Sequence, residues 1–391
     1  MMNKVSRPFL SRRLAGLGTT IFAEMSARAI ATGSVNLGQG FPDRDGPHQI
    51  ARAAADAVLQ GRGNQYPPGP GVTELRQAIS AHAQRFYNLA FDPAEEILVT
   101  AGATEAIAAA ILALVEPGDE VIAFEPYYDS YVASIAMAGG VRVPVTLRPP
   151  DFRPDLDQLS KAITPRTRLI LLNTPHNPTG TVFTRDELAS IAALAVEHDL
   201  LVVTDEVYEH LIFEGEHVPI VQFPGMRERT VSISSAGKTF SFTGWKIGWV
   251  KATPELVSAV KTVKQFLTFV SGGPFQYAIA EALMLPDEYF GTLRGELQAQ
   301  RDLFTEGLAG LGFGVRPPQG TYFVTADISG LTDLDGTEFC RLLPDRAGVV
   351  AIPAAIFYDD QDAARTRVRF AFCKRPEVLT EALARLKAFL T

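Results

Sequence analysis

Cysteine is nearly absent: Cys340 and Cys373 are the two thiols in 391 residues. Two thiols make neither a disulfide framework nor a zinc-binding spacing, and they fit a reducing cytoplasm. No apolar run is long enough to span a bilayer. Basic charge is in deficit, with 36 Lys and Arg against 44 Asp and Glu and a net charge of −8. That balance argues against nucleic acid or an anionic membrane as the main partner, while a small anionic ligand needs only a local cationic pocket. The six histidines are scattered. There is no Gly-x-x-x-x-Gly-Lys phosphate loop and no serine nucleophile elbow. Asp43-Arg44-Asp45-Gly46 lacks the rest of a calcium loop. Acidic residues are missing before Glu24, while Lys4, Arg7, Arg12 and Arg13 precede it. A transit peptide has that bias, but the amphipathic signal is poor, so a basic N-terminal arm is expected.

What is present is a globular chain, 47% hydrophobic and 20% charged. Its length predicts two domains. Short β-rich runs alternate with helical stretches from 95 to 250. Strands are expected at Ile97–Thr100, Val121–Phe124, Val141–Val145, Leu169–Leu172, Leu200–Thr204, Val231–Ile233 and Ile247–Val250. Several are continuously apolar, as in a mostly parallel sheet covered on both faces. Helices are expected at 104–115, 185–198 and 253–268, which makes a doubly wound α/β unit. The last third reads as a smaller α+β unit, with helices at 287–311 and 376–390 and strands at Gly320–Val324, Val349–Ile352 and Val368–Phe372. The expected division is an arm with part of the small domain at 1–45, a large domain at 46–280 and a small C-terminal domain at 281–391.

Ligands of open α/β sheets sit at the carboxyl ends of the strands. Asn173, Asp205, Ser234 and Ser235 fall there, and Gly102-Ala103-Thr104 follows a strand and opens a helix. Each alone reads as a cap or a turn. Lys238 changes the balance. It follows Ser235-Ala236-Gly237, small residues that let it lie close under a flat ligand, and Lys246 follows eight positions later. A lysine desolvated beside another cation loses its proton more easily and can attack a carbonyl. Together these residues meet the separate needs of pyridoxal phosphate. Lys238 suits its aldehyde and Asp205 its ring nitrogen. Asn177 and Tyr208 suit its phenolate oxygen. Gly102, Ala103, Thr104, Ser235 and Lys246 suit its phosphate.

The chain resembles the class I/II aminotransferases, fold type I of the pyridoxal-phosphate enzymes. The resemblance covers nearly the whole length and rests on ordered blocks. These are Asn36-Leu37-Gly38-Gln39-Gly40-Phe41-Pro42-Asp43, Asn64-Gln65-Tyr66, Ala101-Gly102-Ala103-Thr104-Glu105-Ala106, Asn173 to Gly180, Asp205-Glu206-Val207-Tyr208, Ser235-Ala236-Gly237-Lys238 and Val368-Arg369-Phe370. It implies a mostly parallel seven-stranded sheet and a smaller domain that comes down over the substrate. By resemblance Lys238 is the Schiff-base lysine and proton carrier, and Asp205 the ring-nitrogen partner. Asn177 and Tyr208 bind the phenolate oxygen, and Tyr128 stacks on the ring. Gly102, Ala103, Thr104, Ser235 and Lys246 hold the phosphate. Tyr66 reaches the phosphate of the neighbouring subunit in a homodimer. Arg369, helped by Gly38 and Asn177, grips the substrate α-carboxylate. His176 is expected to serve a turn, and Cys373 to serve packing.

The implied reaction moves an amino group between an amino acid and a 2-oxo acid, with 2-oxoglutarate the expected acceptor. Lysine at 246, where aspartate-type relatives carry arginine, points to the kynurenine, glutamine and methionine aminotransferase branch. The whole chain is also similar to actinobacterial enzymes assigned to N-succinyl-LL-diaminopimelate transamination in lysine biosynthesis. A cysteine-conjugate β-lyase would use the same cradle. An aminotransferase-like regulator is set aside, because only about 35 residues precede the Asn36 block and the charge is acidic. Phe22, Tyr128 and Tyr322 are the expected side-chain liners.

Overall fold

The computed structural model describes residues 9–15, 17 and 20–391. Lys4 and Arg7 of the basic arm lie outside the described residues, while Arg12 and Arg13 sit in a short 3-10 turn. In chain order the strands are β1 (Val35–Asn36), β2 (Ile97–Thr100), β3 (Glu120–Glu125), β4 (Val141–Thr146), β5 (Thr167–Asn173), β6 (Leu201–Asp205) and β7 (Thr230–Ser235). There follow β8 (Gly248–Lys251), β9 (Gly314–Val315), β10 (Phe323–Asp327), β11 (Val349–Val350), β12 (Ile352–Pro353) and β13 (Arg367–Ala371).

Seven strands form one sheet in the order β2-β8-β7-β6-β5-β3-β4. All its pairs are parallel except those that β8 makes with β2 and β7. The run Glu120–Glu125 is buried at every position, as a strand covered on both faces must be. Helix Gly102–Leu114 and helix Pro254–Leu267 cover one face through Ala106, Ala109, Ala110, Val257 and Val260. Helix Arg185–Glu197 covers another part of the sheet. It starts on a capping box, in which the Thr184 hydroxyl accepts from the Glu187 N–H and the Glu187 carboxylate accepts from the Thr184 N–H.

A four-stranded antiparallel sheet, β12-β13-β10-β9, packs with helix Gly336–Arg346 and helix Pro376–Leu390. Helix Ile21–Thr32 puts Met25 and Ala29 into the same core, and β1 pairs in parallel with β11. Helix Asp287–Gly310 ties the two regions together, since Phe290 joins the core beside β2 while Leu297, Phe304 and Leu308 join the other. The strand expected to begin at Gly320 begins at Phe323. Thr321 has φ 66°, a left-handed turn conformation that breaks the extended run, and Gly320 makes only an isolated bridge to Ile212.

Candidate active site

The topology carries the ends of β2, β3, β5, β6 and β7 to one edge of the large sheet. There they line a cavity of about 510 Å³ together with Thr20, Phe22 and Gln39 from the N-terminal segment and Arg369 from β13. Gly102, Ala103, Thr104, Tyr128, Asn177, Asp205, Tyr208, Ser235, Lys238 and Lys246, all named from the sequence, share it.

Lys238 follows β7 on a single helical turn and is half-buried. Its Nζ donates to the Gly40 carbonyl at 3.3 Å and lies 5.9 Å from the centre of the Tyr208 ring. Burial pushes its ammonium down to about 8, with Arg369 and Lys246 adding to the effect and Asp205 opposing it. Asp205 ends β6. Its carboxylate accepts from the Tyr131 hydroxyl at 2.7 Å and from the Val207 N–H at 3.3 Å. Burial nonetheless raises its pKa above the usual carboxylate value. Asn173 braces the next turn: its amide donates to the Asp205 carbonyl at 2.9 Å, and its Oδ1 accepts from the Asn177 N–H at 2.8 Å.

At the far end Gly102 has φ 76°, which a residue with a side chain rarely adopts. A Cβ there would stand 3.2 Å from Lys246 Nζ, so the lysine head lies directly over bare backbone at a helix start. Gly248 fits beneath: a Cβ on it would meet the Gly102 carbonyl carbon at 2.5 Å and the Ala103 nitrogen at 2.7 Å. Amides at a helix start beside a cation form an anion cup.

Arg369 is 2% exposed. Its Nη2 donates to the Gly38 carbonyl at 2.7 Å and its Nη1 to Asn177 Oδ1 at 3.3 Å, while Nε has no partner. The Phe323 ring supports the guanidinium at 4.1 Å.

One placement, that of Tyr322, differs from the sequence reading. Gly38 does not line the cavity; it backs Arg369 through its carbonyl, and its N–H is held by Asn36 Oδ1 at 3.0 Å. Tyr322 is buried behind the wall, its hydroxyl donating to the Gly40 carbonyl at 2.6 Å, because the turn at Thr321 points it inward beside Tyr208. Tyr66 lies outside its own cavity, 82% exposed and edge-on to Phe269. His176 makes a turn contact, Nδ1 to Thr179 Oγ1 at 2.8 Å, and Cys373 is buried with its thiol pushed up to about 11. Tyr131 and Asp129 were missed. Tyr131 follows Tyr128 by three positions, a helical spacing that stacks the two rings edge to face at 5.8 Å.

Residues 32–386 match the family profile described as aminotransferase class I and II. The chain is 52% identical over 385 residues to a probable N-succinyldiaminopimelate aminotransferase of Mycobacterium tuberculosis, covering 96% of this chain and 97% of that one. The solved structure of the N-succinyldiaminopimelate aminotransferase from Mycobacterium tuberculosis superposes with a TM-score of 0.95, covering 97% of this chain and all of the other. Methionine aminotransferase of Escherichia coli is 42% identical over 376 residues, with 96% and 97% of the two chains covered.

Proposed function

The chain belongs to the class I and II aminotransferases and is a pyridoxal-phosphate-dependent enzyme, and from that premise we propose a role for each group in the cavity. The cavity fits the cofactor on three counts: bare glycine backbone beside a cation, a buried carboxylate, and a partly desolvated lysine that share its lining. Gly102, Ala103, Thr104, Ser235 and Lys246 would hold the phosphate. Tyr128 would lie against the ring, and Asn177 and Tyr208 would donate toward its oxygen. Asp205 would face the ring nitrogen and keep it protonated. When bound, pyridoxal phosphate supplies an electron sink for the pair left at the substrate Cα.

Lys238 carries this reading. Its Nζ would hold the cofactor covalently and, once released, take the Cα proton and return it at the neighbouring carbon. A lysine lowered to about 8 can serve as such a base near neutral pH, which an exposed lysine cannot. Arg369 would pair both substrate carboxylate oxygens, and its unpartnered Nε leaves donor capacity for them. Thr20, Phe22, Gln39 and Asp129 would meet the substrate side chain. Tyr66 would serve the phosphate of a second copy, so the active unit would be a homodimer working in the cytoplasm. The domain division at 46 and 281 belongs to this reading.

The proposed donor is N-succinyl-LL-diaminopimelate with 2-oxoglutarate as acceptor, on the strength of the relative that is 52% identical. A screen of purified enzyme with that donor, methionine, kynurenine and glutamine tests it. The highest kcat/KM is expected for the succinylated donor. A higher value for any of the other three would overturn the substrate assignment, and pyruvate formed without an acceptor would favour the β-lyase.

A further inference from the structure

Strand alternation gives β7 two chemical faces. Ser235 lines the cofactor cavity, whereas Ser234 points away and donates to Glu209 Oε1 at 2.5 Å. Beyond it lies a second buried polar centre. His82, from helix Thr73–Tyr87, reaches His210, from the turn after β6, with 2.8 Å between their Nε2 atoms. One ligand atom each from His82, Glu209 and His210 all lie within 4.8 Å of one another.

The centre is under-satisfied. Glu209 Oε2 is buried without a hydrogen-bond partner, and so are both oxygens of Glu206 and both ring nitrogens of His217. The neighbouring ammonium, Lys251 Nζ, lies 3.8 Å from Glu206 Oε2 and is also the foremost charge acting on Glu209, ahead of His82, His210 and His217. An unpaired oxygen of a buried carboxylate is costly unless a cation or donors reach it.

We propose that His82 Nε2, His210 Nε2 and Glu209 Oε2 bind one divalent transition-metal ion of the zinc class. Two imidazoles and a carboxylate favour zinc, cobalt or nickel over magnesium or calcium. Tetrahedral zinc bonds of about 2.1 Å place two donors about 3.4 Å apart, so the imidazole pair at 2.8 Å would open by roughly 0.6 Å and the carboxylate oxygen, within 4.8 Å of them, would close in. Ser234 orients the carboxylate, as hydrogen-bonded partners of metal ligands do. Bound metal would pin helix Thr73–Tyr87 to the turn that carries Asp205 and Tyr208.

The test uses holoenzyme stripped with a chelator, then titrated with zinc alone against a chromophoric competitor. One equivalent per protomer is expected. His82→Gln and His210→Gln each weaken binding by at least about 100-fold, and Ser234→Ala weakens it by about 10- to 100-fold. Less than half an equivalent in the parent protein overturns the site, as does one equivalent unchanged in both histidine variants. Should those variants misfold, X-ray absorption of the zinc-loaded parent decides: two imidazole ligands support the site, and fewer than two overturn it.

Discussion

The two polar centres both draw on β6 and β7 and differ in what satisfies them. On the cavity face Asp205 has Tyr131 and Val207 as donors, Arg369 has Gly38 and Asn177 as acceptors, and Lys238 has Gly40. On the other face Glu206, Glu209 and His217 keep unpartnered atoms. Neighbours in sequence fall on opposite sides: Asp205 against Glu206, Ser235 against Ser234. Among the described residues, free capacity on the cavity face includes Arg369 Nε and the bare backbone at Gly102. One face is organised around a large organic ligand and the other, on our proposal, around something the size of an ion.

The comparison breaks first at Lys238. Lys238→Ala should retain cofactor through the phosphate cup yet lose at least roughly 10²–10⁴-fold in kcat, the usual worth of a positioned acid–base group. Single-turnover absorbance with amino donor measures this, and near-normal turnover would remove Lys238 from the chemistry. Arg369→Ala comes next. Removing one side of a buried charged pairing costs about 2–5 kcal/mol, so kcat/KM should fall at least about 30-fold for every amino acid donor alike. An effect limited to one donor would place Arg369 at the side chain instead.

Tyr131→Phe removes a hydrogen bond to a buried carboxylate, worth about 1.5–3 kcal/mol. Its kcat should drop at least about 10-fold with KM little changed, and the pKa of the bound cofactor's ring nitrogen should move in a spectroscopic pH titration. A rise in KM with kcat unchanged would show that Tyr131 only shapes the wall. The smallest effect is graded by pH. Burial lowers Lys238 from 10.5 to about 8, so its uncharged, attacking form dominates above about pH 8. Capture of free cofactor by the cofactor-depleted protein should speed up about tenfold per pH unit below 8 and level off above it. A rate still rising to pH 10 would mean an exposed, ordinary lysine.

The large sheet was legible because most of its strands are short runs buried on both faces, the edge strand β4 being half-exposed. All seven expected strands are present, with ends shifted by at most two residues. The cavity was legible because its residues follow strand ends in compact blocks. What escaped was geometry created by single turns. Thr321 in a left-handed conformation shortens β10 and hides Tyr322. Asn36 takes the Gly38 N–H, a contact two residues apart that no hydrophobic pattern signals. The second centre escaped for a different reason. His82 and His210 are 128 positions apart, and neither sits in a metal spacing. Only the packing of helix Thr73–Tyr87 against the turn after β6 joins them.

The proposed chemistry requires Lys238 to be the residue that carries the cofactor. Borohydride reduction of the holoenzyme, followed by peptide mapping, tests this most directly. The predicted result is one pyridoxyl adduct per protomer on the peptide containing Ser235-Ala236-Gly237-Lys238. An adduct on Lys246 or any other lysine, or no adduct from a protein that turns over normally, would contradict it.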